Sequence, residues 1–223
     1  MCGRFSLGGT VRVGQLFELP NWPETPPRYN IAPSQEVSAV IRTRETAVRE
    51  FRSFRWGLVP SWARDPTLGN RLINARAETV AVKPAFRKPL RERRCLVLAD
   101  GFYEWEQQGR RKQPWFFRMR DSRPFAFAGL WDRWQLPSGE PFETCAIVTT
   151  EANEVVGRVH GRMPAILPPA AYSLWLDPIC QDVEQAQAVL RPYAAEEMVA
   201  YPVGTQVNSP AHDSPDLIVP LVG

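Results

Sequence analysis

The sequence is poor in the residues that build metal centres and lacks the runs that build membrane spans. Only two histidines, His160 and His212, accompany four cysteines in 223 residues. None of Cys2, Cys95, Cys145 and Cys180 is spaced as Cys-x-x-Cys, and neither histidine completes a ligand pattern with them, so no metal is expected. Free thiols of this kind fit a reducing compartment. No 18-residue apolar run occurs, which argues against a transmembrane helix. The first residues also lack the basic and apolar stretches of a secretory leader. A cytoplasmic protein with no membrane partner and no cofactor is expected. Lysine is scarce too: Lys83, Lys88 and Lys112 stand within a Lys+Arg total of 27. A net charge of +3 does not by itself indicate nucleic acid. The arginine excess suits bidentate phosphate contacts and stacking on planar groups, although GC-rich coding produces the same bias.

No internal repeat or low-complexity linker interrupts the chain, so residues 1–223 are read as one domain. A chain of this length buries roughly 70% or more of its unfolded surface and needs no staple. Residues 11–19 have the pattern of a short helix, and the proline-rich PNWPETPPRYNIAP that follows reads as loop. EVSAVIR and AVREFRSFRW alternate as strands. GLVPSWARDPTLGN is loop, and NARAETVAVKPAF begins like a helix with Asn74 as its cap. RKPLRERR reads as a solvated helix face. RCLVLADGFYEWEQ and QPWFFRMR flank a turn at QGRRK, and PFAFAGLWDRW and ETCAIVTTEAN are further strands. PPAAYSLWLD and VEQAQAVLRPYAAEEM close the chain as helices. Strands without regular crossover helices predict an α+β fold with a mostly antiparallel, twisted, barrel-like or sandwiched sheet and flanking helices.

Chemistry gathers at short motifs. Cys2 follows the initiator, and a small residue there allows Met1 to be removed. The chain would then begin with an α-amine of pKa about 7.7–8.0 beside a thiol of about 8.5. The amine condenses with an aldehyde to an imine, and the thiol closes a five-membered thiazolidine. The same pair also suits N-terminal-nucleophile hydrolysis. Glu104 lies between Tyr103 and Trp105, where desolvation raises a carboxyl towards general acid–base use, although a surface carboxylate fits the pattern as well. His160 sits in the glycine-flanked loop of VVGRVHGRMP, a place for a site residue or for an exposed capping histidine. Asn74 and Arg76 fall at an expected strand-to-helix junction, where a helix N-terminus would seat a phosphate. Arg4, Arg28, Arg76 and Arg162 flank these motifs, with Trp56, Trp62 and Trp105 close by in sequence. Arginines interleaved with aromatics suit single-stranded nucleic acid.

MCGRF, PRYNIAP, WGLVPSW, INARAET, RRCLVLADGFYEW, QPWFF, AGLW, TTEAN and HGRMP follow one another in this order. Together they resemble the SOS-response-associated peptidase (SRAP) family, abasic-site sensors, from Cys2 to about Trp175. YPVGTQVN is similar to the closing strand of that family. The resemblance implies a single α+β domain with a positively charged groove that binds single-stranded DNA holding an abasic site. It implies Cys2 as the nucleophile, with Asn74, Glu104 and His160 as the other catalytic residues. It also implies Arg4, Arg76 and Arg162 on phosphates, Trp62 against the strand, and a covalent thiazolidine crosslink. Removal of Met1 by the protein itself and reversal of the crosslink belong to the same picture. So do a monomer, recruitment to the nucleoid on damage, and contacts with replication-fork proteins. Some members carry a second tryptophan after the first, where this chain has Ala63. The rival readings are a glutaminase-like N-terminal-nucleophile amidohydrolase, a non-catalytic single-strand binder, and a reader of methylated duplex DNA.

Overall fold

A computed structural model of the chain describes residues 2–9, 13–20, 22–23, 25–44 and 48–221. Its strands are β1 (Phe5–Leu7), β2 (Arg28–Ile31), β3 (Glu36–Ile41), β4 (Glu50–Trp56), β5 (Asn74–Arg76), β6 (Arg94–Ala99), β7 (Gly101–Gln108), β8 (Arg111–Met119), β9 (Phe125–Gln135), β10 (Pro141–Glu151), β11 (Arg162–Pro164), β12 (Ile166–Leu167) and β13 (Met198–Pro202). Short helices fill the connections: α1 (Val13–Leu16), α2 (Arg87–Glu92), α3 (Glu154–Gly157), α4 (Tyr172–Leu176) and α5 (Val183–Ala188). Among the described residues no helix is long and apolar enough to cross a membrane.

Strand pairing makes two bodies. One sheet runs β13-β8-β7-β1-β2, antiparallel throughout. The other closes on itself. β4, β3, β6, β9 and β10 pair in turn as antiparallel neighbours, and β10 then lies parallel to β4, with Thr144 opposite Arg55 and Cys145 opposite Trp56. Closure removes the open edges of an isolated sheet. β5 adds to β10 in parallel, and β11 and β12 extend the rim. The fold is the expected α+β architecture built mainly of antiparallel pairs, with the two parallel contacts of β10 as its departure.

The core lies where the open sheet packs on the barrel. Phe5 meets the rings of Trp56 and Phe127 edge-on, with centroids 5.2 and 5.6 Å apart. Phe102 stacks on Phe117. Burial of each such side chain contributes about 1.5–3 kcal/mol, and the edge-to-face geometry suits the ring quadrupoles. A smaller cluster of Tyr103, Phe116, Val203, Val207 and Leu217 packs separately.

Local differences from the sequence reading have physical causes. RCLVLADGFYEWEQ is two strands in different sheets, turned at Asp100. The Asp100 carboxylate accepts the Ser6 hydroxyl and the Gly8 and Gly9 amides, which fixes the corner. Gly101 follows because any Cβ there would lie 2.0 Å from the Phe116 ring. The turn at QGRRK is a tight β7–β8 hairpin, with Gly109 at φ 60°. Arg28–Ile31, read as loop, pairs with β1. Asn74 caps no helix: residues 74–76 are a strand on β10, followed by turns. Glu104 lies inside β7, and a short helix, α3, precedes the His160 loop. The first helix is seen as Val13–Leu16, its predicted residues 11–12 lying outside the described set. The last predicted helix ends at Ala188, ahead of Pro192. RKPLRERR is only partly solvated, since Leu90 is buried and Arg94 sits in β6, donating to the carbonyls of Leu90, Trp175 and Cys180.

Candidate functional site

The N-terminal segment is drawn into the protein by the sheet. Phe5 pairs with Phe102, and the Tyr103 amide donates to the Arg4 carbonyl at 3.0 Å. This register carries Cys2 to β7 and to the rim of the barrel. There the Asn74 side-chain amide donates to the Cys2 carbonyl at 2.8 Å. β5 holds Asn74 opposite Ile147 on β10, so a barrel strand sets the reach of that amide. Cys2 is fully buried. Burial pushes its thiol well above the ordinary range, and the nearby Glu104 carboxylate pushes it further. The side chain is therefore a neutral thiol in this state rather than a thiolate.

Glu104 lies opposite Trp115 in the β7–β8 ladder and is only 3% exposed. Desolvation raises its carboxyl, and the His160 imidazole pulls in the other direction. His160 is held in the loop between α3 and β11, with Nδ1 3.1 Å from both the amide nitrogen and the carbonyl oxygen of Arg162. Asn153 caps α3 through the Val156 amide and so steadies the approach to that loop. Cys2, Asn74, Glu104 and His160 thus meet from four separate stretches of chain. Asn74 Oδ1 is buried there with no hydrogen-bond partner. The cluster combines a nucleophile, a protonatable carboxyl in a dry setting, an imidazole and an amide.

The buried carboxyl has a consequence for stability. The folded state binds the Glu104 proton more tightly than the unfolded chain does, so stability falls as pH rises from the unfolded pKa of about 4.3 through the raised folded value. Glu104→Gln should therefore melt at a higher temperature than the parent at about pH 7, with a flatter pH profile. Calorimetry at about pH 5 and about pH 7 reads both, and a Glu104→Gln protein that melts below the parent at about pH 7 would contradict the assignment.

The arginines divide. Arg162 joins the rim of the cluster, with Nη1 and Nη2 on the two Glu78 oxygens at 2.6 and 3.1 Å and Nη2 on the Thr149 carbonyl at 2.8 Å. Arg76 is exposed on β5 and lies opposite Thr149 in register. Arg4 turns towards Trp105, and its Nη1 donates to Asn30 Oδ1 and the Val207 carbonyl. In this structure it ties the N-terminal segment to the C-terminal one. Arg28 is paired with Asp213 and Gln35. Trp62 is 60% exposed and lines a separate cavity of about 480 Å³ with Arg64, Leu68 and Arg71, to which none of the four clustered residues contributes. Its loop is firmly mounted: Thr144 accepts the Val59 amide, Asp132 accepts the Ser61 amide, and the Trp134 indole donates to the Ala63 carbonyl, each at 2.8 Å. Trp56 is in the core and Trp105 donates to Asn208. Among the described residues no three His, Cys, Asp or Glu side chains gather as a metal ligand set.

Sequence reasoning missed Asn30, Asp213, Glu78 and Thr149. Fully buried Asn30 binds Arg4 and reaches the carbonyls of Val207, Ser209 and His212, while Asp213 accepts the Tyr29 and Asn30 amides. Those partners lie some 180 residues downstream, and no local pattern announces them.

Comparison with known proteins bears on this arrangement. Residues 1–210 match the model of the family "SOS response associated peptidase (SRAP)". The chain is 42% identical to abasic site processing protein YoqW of Bacillus subtilis, covering 98% of this chain and 99% of that one. It is 36% identical to abasic site processing protein HMCES of Gallus gallus, covering 87% of this chain and 66% of that one. A crystal structure of a Bacteroides thetaiotaomicron protein superposes with a TM-score of 0.87 at 26% identity, covering 99% of this chain and all of that one.

Proposed function

The chain belongs to the SOS response associated peptidase (SRAP) family, and from that premise we propose that it processes abasic sites in DNA by trapping the sugar aldehyde at Cys2. The observation that carries this reading is the meeting of Cys2 with Glu104, its carbonyl held by Asn74. The substrate is read as single-stranded DNA, in which the lesion is reached without unpairing a duplex.

The chemistry follows from the state of each group. Once Met1 is removed, Cys2 has two nucleophiles. Its thiol, protonated in the buried setting, is the poorer one, so the amine acts first. His160 and Glu104 move protons as the abasic sugar opens to its aldehyde. The Cys2 amine adds to C1′ and gives a carbinolamine. Glu104, whose hold on a proton is raised by burial, donates to the departing hydroxyl, and water leaves to form the imine. The thiol then adds to the imine carbon, its proton passes to nitrogen, and a thiazolidine closes. One water is lost overall. Asn74 holds the Cys2 carbonyl during these steps, and its second amide atom, Oδ1, can accept an N–H of the new α-amine. Ring closure removes the imine that would otherwise proceed to β-elimination and strand cleavage. Arg76 and Arg162 are assigned to phosphates beside the lesion.

The test is the intact mass of protein that begins at Cys2, before and after incubation with an oligonucleotide bearing one abasic site. The expected product is the sum of the two masses less one water, stable to denaturation without borohydride. Absence of an adduct would overturn the reading, and glutamine hydrolysis would then be assayed.

A further inference from the structure

Arg162 is already occupied by an anion. The Glu78 carboxylate takes both terminal nitrogens of its guanidinium, at 2.6 and 3.1 Å. That is the bidentate geometry a phosphate would use. Nη2 is further held by the Thr149 carbonyl and hydroxyl, so the guanidinium is fixed while its partner is not: the side chains are 20% and 46% exposed for Arg162 and Glu78. Arg162 Nε is buried with no hydrogen-bond partner. Arg162 and Arg76 both keep the Glu78 carboxyl below its usual range, Arg162 foremost, so it stays ionised at neutral pH. A phosphate arriving at Arg162 must displace or share this internal carboxylate.

We propose that Glu78 competes with phosphate for Arg162, so that every phosphate entering the site does so against an internal anion, and a ligand with a single phosphate contact is held weakly. The inference rests on the reading that Arg162 meets a DNA phosphate. A strand brings further contacts, at Arg76 among others, that offset the lost ion pair. A lone phosphate brings fewer.

Glu78→Gln removes the competitor at constant shape. Exposed ion pairs are worth about 0.2–1 kcal/mol, so non-covalent affinity for an abasic oligonucleotide, measured in the Cys2→Ala background by fluorescence anisotropy, should rise about 1.4- to fivefold. In the Cys2 protein, thiazolidine formation with 2-deoxyribose 5-phosphate should rise by a similar factor, while that with 2-deoxyribose stays unchanged. Glu78→Asp, with the charge kept and the reach shortened, should give a smaller gain. Weaker strand binding by folded Glu78→Gln would overturn the proposal and make Glu78 a positioning residue for Arg162. Equal tightening by Glu140→Gln, an exposed acid on the β9–β10 turn, would also overturn it, since bulk charge would then suffice. If the parent itself neither binds nor crosslinks the abasic oligonucleotide, the phosphate reading fails and the competition falls with it.

Discussion

Cys2→Ala should leave no stable crosslink with abasic DNA while retaining non-covalent affinity for the strand. The alanine protein still has an α-amine, so it can form the reversible imine, but it has no thiol to close the ring. Its imine has two exits, hydrolysis and β-elimination. The expected result on a denaturing gel is a crosslink at background level together with a cleaved strand. Cys2→Ser sharpens the point. It differs by one atom, and its hydroxyl is a weaker nucleophile towards the imine carbon. Borohydride should trap the imine in both variants and leave the parent thiazolidine adduct largely unaffected. Persistent borohydride-independent crosslinking by Cys2→Ala would remove the nucleophile from the scheme.

The largest effect on stability is expected at Trp56. It is fully buried at the seam where β4 meets β10, opposite Cys145. Its ring meets Phe5 edge-on, and its indole donates to the Ile73 carbonyl at 2.9 Å. Trp56→Ala deletes this packing, opens a cavity and removes one of the two donors to that carbonyl, the Ile147 amide being the other. Substitutions of this kind cost about 3–5 kcal/mol. Urea unfolding should show a lower midpoint, and a loss below about 1.5 kcal/mol would contradict the seam role. Ile73 precedes Asn74, so the rate of adduct formation should fall as well. Trp62→Ala is the matched control. Its ring is exposed, and stability should stay within about 0.5 kcal/mol of the parent.

What was legible in the sequence was what is encoded locally. The β7–β8 hairpin was readable because its turn, with Gly109, lies between strands that are neighbours in the chain. Glu104 was readable because the aromatics beside it in sequence foretold its desolvation. The stretch from Asn74 was misread for the opposite reason. Asn-Ala-Arg-Ala-Glu has the residues of a capped helix, and propensity yields to tertiary pairing. The strand that claims it is β10, some 70 residues away. The corner at Asp100 was hidden by apolar alternation running through it, since its cause is the backbone at residues 8 and 9. Cys2 stood out by its chemistry and Asn74 by its motif, whereas Asn30 and Glu78 acquire meaning only from Arg4 and Arg162.

The burial of Cys2 also sets a timetable for synthesis. Its immediate neighbours are distant in sequence: Asn74 on β5 and Glu104 on β7, with Val207 on Arg4 beside it. A growing chain makes the first residues long before it makes those that cover them. At about 5–20 residues per second, roughly 5–20 seconds separate the translation of Cys2 from that of Glu104. An aminopeptidase that trims Met1 would find its target open in that interval and would compete with folding afterwards. Slowing elongation should therefore raise the fraction of protein that begins at Cys2 if trimming depends on such an enzyme. It should leave that fraction unchanged if the folded protein performs the cut.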